Sequence, residues 1–517
     1  MKDLALAVDC GTQSIRVIIF DDQGNLLSKV KKNLDTPYFS TAPNYAEQNV
    51  TYFWETLCSA CQELKSKSPE LWERLSVMSV TTIRDSYVCV DENFKQVRPM
   101  ILWLDQRKAP VSFSKDLPFI NRLLFTLVGM KPSVFKQMEK GSVNWIMKNE
   151  KENWDKTYKF MSYCNYIDFM LTGKTADSIA SNIGHIPFDY QHHKWASKRN
   201  LKRCLFPIPR EKLCDLIPSG TVLGHITQSA SIQTGIPEGL PVVVSGSDKG
   251  CETLGVGCIG EGIASLGFGT TATVQVTTDK YVEPIAFMPA YPSVIHGKFN
   301  PEVQIFRGYW MVSWFKSEFA KNEEPKAKSL GISLEELLDK ELENIPIGCD
   351  GLVLQPFWTP GLKEPEGRGT VIGFTDCHTR AHIYRAIIEG IGFGLFEGLK
   401  NIEKRTKIKT KCIAVSGGGS SSDEICQITA DMFGIPVKRV QTYETSALGA
   451  AISAFVGIRR FSNYEEGVNS MVRYTDTFIP NMKNHKIYLE LFEKVYKKLY
   501  KRVKPLYQTL TKIEGRK

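Results

Sequence analysis

Three short apolar runs in this 517-residue chain each stop at a turn built from glycine and hydroxyl side chains. Leu4–Asp9 runs into Cys10-Gly11-Thr12-Gln13. Ile263–Leu266 runs into Gly267-Phe268-Gly269-Thr270-Thr271, and Cys412–Val415 into Ser416-Gly417-Gly418-Gly419-Ser420. Apolar runs of this length bounded by such residues read as buried strands. A glycine turn at a strand end gathers backbone N–H groups into a cradle for an anion. Asp9 closes the first run, where a carboxylate suits a hydrated divalent cation. A helix begins near Asp423 after the third turn, and a helix N-terminus favours negative charge. A plain hairpin with a capping Asp explains the first turn equally well. It is the series of three, in order, that points to phosphate binding.

The rest of the chain alternates strand and helix. Arg16–Phe20, a turn at Asp21-Asp22-Gln23-Gly24 and Asn25–Val30 continue the opening as hairpins. Val50, Phe53, Trp54, Leu57, Cys61 and Leu64 follow the spacing of one helical face. Val77–Ile83 and Tyr87–Asp91 read as strands, so the class is α/β. Gly246, Gly250, Gly255, Gly257, Gly260, Gly262, Gly267 and Gly269 crowd one stretch, which marks a domain junction. The strand-and-glycine theme then returns, so the two halves read as variations on one unit. Residues 488–507 read as an amphipathic helix packed on the second domain.

Composition narrows the function. Hydrophobic residues are 42% and charged residues 23%, as in globular proteins. The net charge of +9 suits anionic ligands, but no dense basic patch with interleaved aromatics marks a nucleic-acid binder. Thirteen cysteines without a framework spacing predict reduced thiols and a cytoplasmic location. The N-terminal apolar run is too short for a signal peptide, and no run suits a membrane span, so no membrane partner is expected.

Several motifs are decoys. Gly255-Val256-Gly257-Cys258-Ile259-Gly260 has dinucleotide spacing but follows a helix and precedes a strand. No P-loop sequence occurs. Cys58-x-x-Cys61 lies on the helix, and His378 and His382 lack a partnering Glu, so all four read as core or surface residues. Acids at strand ends are better candidates. Val242–Ser245 runs into Gly246-Ser247-Asp248-Lys249-Gly250, which offers Asp248 as general base, metal ligand or helix cap. Arg84-Asp85 pairs a donor with an acceptor, as a polyol requires, or forms a surface ion pair. Trp103–Arg107 reads as support behind them.

These pieces, in this order, resemble the FGGY family of carbohydrate kinases. The matching stretches are A-V-D-C-G-T-Q-S-I-R at the start, I-L-W-L-D-Q-R at 101–107, Y-I-D-F-M-L-T-G at 166–173 and S-G-S-D-K-G at 245–250. L-G-F-G-T-T at 266–271, the late signature from Gly369 to Gly390, S-G-G-G-S-S-S-D-E at 416–424 and T-S-A-L-G-A-A at 445–451 complete them. The resemblance implies two ribonuclease-H-like domains, the fold of sugar kinases, actin and Hsp70, around a central cleft. The expected domains are 1–254 and 255–460, with a helical tail at 461–517.

The resemblance also implies ATP and Mg²⁺ as cofactors and transfer of phosphate to a hydroxyl of a small sugar or polyol. Gly11, Thr12 and Gln13 would form the phosphate loop, with Arg16 reaching the nucleotide. Asp9 and Asp248 would serve the metal. Gly269 and Thr270 would meet the terminal phosphates, and Gly417, Gly418, Gly419 and Ser422 would flank adenosine. Asp248 would be the catalytic base, and Arg84, Asp85, Asp248 and Lys249 would contact the sugar. Arg84-Asp85 is similar to the Arg-Glu pair of glycerol kinases, whereas xylulokinases carry Q-M-H-G there. Lys249, beside the base, replaces the Gln of glycerol kinases and would suit an anionic or highly oxygenated substrate. Homodimers occur in the family. The competing readings are a non-catalytic regulatory member and a sugar-independent ATPase.

Overall fold

The computed structural model describes residues 2–514 apart from 199, 286, 287, 362, 363 and 365. The chain forms two compact units. One comprises Met1–Gly255, Tyr291–Phe299 and Ser446–Val472; the other comprises Val256–Ala290, Asn300–Thr445 and Arg473–Lys517. The first crossing falls between Gly255 and Val256, within the glycine-rich stretch. Beyond it the division differs from a single boundary plus a tail, because 291–299 and 446–472 return to the first unit. Packing explains the return. A Cβ on Gly449 would lie 2.0 Å from the Cys251 carbonyl oxygen, so only glycine lets these backbones meet. Arg460 pairs with Asp22.

In the first unit, β1 (Leu4–Cys10), β2 (Ser14–Phe20), β3 (Leu26–Asn33), β4 (Leu75–Thr82), β5 (Val222–His225) and β6 (Pro241–Ser247) form one sheet in the order β5-β6-β4-β1-β2-β3. In the second, β7 (Ile263–Phe268), β8 (Ala272–Val276), β9 (Glu302–Ile305), β10 (Cys412–Ser416), β11 (Val437–Val440) and β12 (Tyr474–Phe478) follow the order β9-β8-β7-β10-β11-β12. β6, β4 and β1 run parallel, as do β7, β10 and β11. The other neighbours are antiparallel. Each unit therefore opens with an antiparallel meander, adds two parallel strands and closes on an antiparallel edge. The likeness of the halves is one of topology.

The helices include α1 (Val50–Lys67), α2 (Phe119–Leu127), α3 (Tyr163–Thr172), α4 (Asp248–Gly255), α5 (Arg380–Thr406), α6 (Asp423–Phe433) and α7 (Thr445–Gly457). α1 buries the face its spacing predicts, and Cys58 and Cys61 are packing residues on it. α5 runs through the second core, where Phe393 and Phe396 meet Tyr488, Phe492 and Tyr496 of the C-terminal helices. The G-x-G-x-x-G stretch lies between α4 and β7, which is wrong for a dinucleotide. His382 bonds Asp350 and His378 bonds the Cys349 carbonyl. No cluster of three metal-ligating side chains exists among the described residues.

Behind the first sheet, Asp168 on α3 and Asp177 are both almost fully buried. The Ser162 hydroxyl donates to Asp177 at 2.6 Å, but one oxygen of each carboxyl has no partner among the described residues. Burial pushes Asp177 up from 3.8 to about 7; it also raises Asp168 well above its usual range, with Asp177 opposing its ionisation. An acid raised in the folded state contributes stability fully present below its unfolded value and lost as pH rises through its folded value. Stability of this unit should therefore fall between pH 4 and 7, by a few kcal/mol at most. Asp177→Asn should flatten that slope in urea unfolding followed by fluorescence; an unchanged slope would remove Asp177 as its cause.

Candidate active site

Parallel pairing fixes the first cluster. Asp9 pairs with Thr81, while Cys10 and Ser247 flank Thr82 on either side. Asp9, near the end of β1, and Asp248, just past the end of β6, thus lie at the same end of the sheet, on strands whose backbones are about 10 Å apart by strand spacing. Arg84 and Asp85 follow the strand between them. The Thr81 hydroxyl donates to the Gly246 carbonyl and the Ser245 hydroxyl to the Val80 carbonyl, which locks β4 to β6.

Asp248 is the first residue of α4, yet Ser247 supplies the cap. The Ser247 hydroxyl accepts the Gly250 N–H at 3.3 Å. Asp248 Oδ1 accepts the N–H of Lys249 at 2.8 Å, and the side chain is partly exposed. Burial pushes the Asp248 carboxyl above its usual range, against the pull of Arg84 and Lys249. A raised carboxylate is a better base toward a hydroxyl. The Lys249 ammonium meets Glu252 at 2.8 Å on the same helix. The remaining Glu252 oxygen is buried and has no partner among the described residues.

Asp85 pairs with His185. Its oxygens accept the His185 backbone N–H at 2.9 Å and meet His185 Nδ1 at 2.7 Å. Asp85 itself has φ of 55°, a conformation that short polar residues tolerate. Gly184, with φ of 137°, lets the two segments touch. The Arg84 guanidinium sits 5.0 Å from the Tyr291 ring centre, and Tyr190 contacts the same ring. His185, Tyr190, Tyr291 and Glu252 were missed in the sequence. The pairing of His185 with Asp85 spans 100 positions, so spacing carried no signal.

In the turn between β1 and β2, the Gly11 N–H donates to the Ser14 carbonyl at 3.0 Å. Thr12 Oγ1 accepts the Trp103 indole N–H at 2.9 Å. Gln13 is exposed. Arg16, directly across from Asp9 in the hairpin, donates to it at 2.8 Å. Trp103 is fixed by the next residues: Asp105 and Glu47 hold the buried Arg107, which stacks on Tyr45 at 3.8 Å. The segment 101–107 therefore supports the loop.

In the second unit, Gly267 pairs with Ser416, so the turns after β7 and β10 lie side by side. The Gly269 carbonyl accepts the Tyr309 N–H, and Thr270 is exposed. Gly417 has φ of 81°, and a Cβ there would strike the Phe268 carbonyl oxygen at 2.8 Å. A Cβ on Gly419 would lie 2.4 Å from the Tyr309 ring, whereas one on Gly418 meets nothing within 4 Å. Gly418 is thus the open position of this cradle. The Ser422 hydroxyl caps α6 by accepting the Ile425 N–H at 3.2 Å, and is buried. Asp423 and Glu424 already complement that helix end.

Oxygen ligands suit Mg²⁺, which is commonly held by one or two carboxylates together with substrate phosphates. Asp9 and Asp248 fit that donor set. Glycine turns with open backbone fit a nucleotide phosphate chain.

The sugar-kinase fold is shared with solved structures: the crystal structure of gluconate kinase from Lactobacillus acidophilus matches with a TM-score of 0.81 and 20% identity, over 98% of this chain and 99% of that one. The models of the N-terminal and C-terminal domains of the FGGY family of carbohydrate kinases match residues 4–255 and 264–458. The chain belongs to this family and is an ATP-dependent sugar kinase. It is 30% identical over 501 residues to the uncharacterized sugar kinase YgcE of Escherichia coli K12, covering 97% of this chain and 94% of that protein. It is 27% identical to a xylulose kinase of Staphylococcus epidermidis, covering 98% of each.

Gly184→Ala should place a Cβ 2.1 Å from the Asp85 carboxylate. The expected result is a lower melting temperature and at least a tenfold rise in sugar KM, with ATP KM changed less. Unchanged sugar kinetics would separate Asp85 and His185 from substrate binding.

Proposed function

We propose that the chain phosphorylates one hydroxyl of a neutral ketose or polyol, with Asp248 as general base. The observation that carries this is the position of Asp248: at the strand edge, released from capping by Ser247, and raised by burial. It accepts the proton of the attacking hydroxyl, in line with the phosphoryl group, and catalysis is otherwise positioning and electrostatics. Arg84 donates to sugar hydroxyls, and Asp85, oriented by His185, accepts from them. Gly11, Thr12 and Gln13, with Arg16, line the phosphates, while Gly269, Thr270 and Gly417–Gly419 bind the nucleotide and Ser422 shapes its adenosine end. Bound Mg²⁺, served by Asp9 and Asp248, neutralises phosphate charge.

Charge supports the neutral class. Lys249 alone would favour a sugar acid, but Glu252 neutralises it. Around Asp248, Arg84 and Lys249 are thus set against Asp248 and Glu252, two charges of each sign. Two of the proteins named above are a xylulose kinase and a gluconate kinase, so both classes belong in the test. The thirteen cysteines support a cytoplasmic location. No helix among the described residues is long and apolar enough to cross a membrane.

The test is a coupled ADP-release assay over ketoses, polyols and sugar acids. A neutral sugar should give saturable release. A sugar acid as best substrate would overturn the neutral class, and sugar-independent release would overturn the kinase reading. Asp248→Asn should lower kcat at least about a thousandfold while ATP still binds. Near-normal turnover would remove Asp248 as base. Gly418→Val, at the open position, should weaken ATP binding about tenfold by calorimetry without lowering the melting temperature; unchanged affinity would place the nucleotide elsewhere.

A further inference from the structure

A turn keeps its shape only when its carbonyls find donors. The glycine turn after β10 answers three of its own. The Ser420 N–H and hydroxyl both reach the Gly417 carbonyl, at 3.1 and 2.7 Å. The Ser421 hydroxyl reaches the Gly418 carbonyl at 2.7 Å, and the Ser422 N–H reaches the Gly419 carbonyl at 3.4 Å. α6 then takes up the Ser422 carbonyl through the Cys426 N–H. The carbonyls of Ser420 and Ser421 fall between these two sets, and Arg439 serves them. Its Nε donates to the Ser420 carbonyl at 2.7 Å and its Nη2 to the Ser421 carbonyl at 3.4 Å. The Cys426 thiol adds a longer contact to the first, at 3.5 Å.

Strand register brings the guanidinium there. Arg439 on β11 pairs with Val415 of β10, two residues before Gly417, and with Asp476 of β12 on its other side. Nη1 meets Asp476 at 3.1 Å, Nη2 meets Asp423 at 2.5 Å, and the guanidinium lies 5.0 Å from the Phe478 ring centre. The Arg439 side chain is 12% exposed, whereas those of Asp423 and Asp476 are 72% and 46% exposed. Ion pairs so open to water contribute little. Bonds from a charged donor to carbonyls contribute more, and a planar guanidinium spans two neighbouring carbonyls, which a lysine ammonium does not. In a trans peptide the carbonyl and the following N–H point opposite ways. Holding the carbonyls of Gly417, Gly418 and Ser420 therefore sets the directions of the N–H groups of Gly418, Gly419 and Ser421. Such N–H groups are what a glycine turn offers an anionic ligand.

We propose that Arg439 is the positioning residue of the nucleotide cradle. It acts through the Ser420 and Ser421 carbonyls, by fixing the direction of the N–H groups along the turn. The inference rests on the reading of Gly417–Gly419 as nucleotide-binding.

Calorimetry with ADP and Mg²⁺ on the full chain tests it. Arg439→Ala should raise the ADP dissociation constant about tenfold, with far-ultraviolet circular dichroism unchanged. Asp476→Asn removes an exposed charge but neither carbonyl bond, and should bind ADP within about twofold of wild type. In the assay over sugars, Arg439→Ala should raise ATP KM about tenfold while sugar KM and kcat stay within about twofold. A role in folding alone would lower kcat with the folded fraction and leave ATP KM unchanged. If Arg439→Ala fails to fold, Arg439→Lys decides: it keeps the charge but not the fork, and should still bind ADP about fivefold more weakly. Wild-type ADP affinity in the deciding variant, an equal loss in Asp476→Asn, or an effect on kcat alone would overturn the role of Arg439. A wild type that binds no ADP would overturn the nucleotide reading beneath it.

Discussion

Parallel pairing of β1, β4 and β6 is the constraint on which the site depends. Parallel strands end at one edge, so residues far apart in sequence emerge together. Asp9, the Arg84-Asp85 pair and Asp248 all leave that edge. A register slip of one residue would turn each side chain to the other face. The buried hydroxyls of Thr81 and Ser245 resist such a slip, because each is matched to one carbonyl on the neighbouring strand. The same logic repeats in β7 and β10, whose paired ends set two glycine turns side by side.

Division of labour between neighbours shapes the chemistry. Ser247 takes the capping role that Asp248 would otherwise serve, and Glu252 takes up the charge of Lys249. Trp103 holds Thr12 from outside the loop, and is itself braced by buried charges on Arg107, Glu47 and Asp105. Such buried pairs are costly to break one partner at a time. The loop's geometry is thus set in part by residues outside it.

Much of this was legible in the sequence. The strands, the glycine turns, α1 and the acids at strand ends follow from apolar period and turn residues, which act locally. The family followed from their order. What was not legible depends on contacts between distant segments. Asp85 meets His185 only because Gly184 allows close approach, and Tyr291 joins Arg84 after an excursion into the other unit. Lys249 read alone suggests an acid reader, and its pairing with Glu252, three residues on, appears only once the helix brings them together.

The interleaved course of the chain has a consequence for biogenesis. Residues 446–472 complete the first unit, where Gly449 seats against Cys251 and Arg460 against Asp22. On the ribosome, domains usually fold as units from the N-terminus onward. Here the first unit stays unfinished until nearly all of the second has been made. A stalled or truncated chain ending before residue 446 would carry an open seam over α4, and quality control would meet it as an incomplete protein rather than as a folded half.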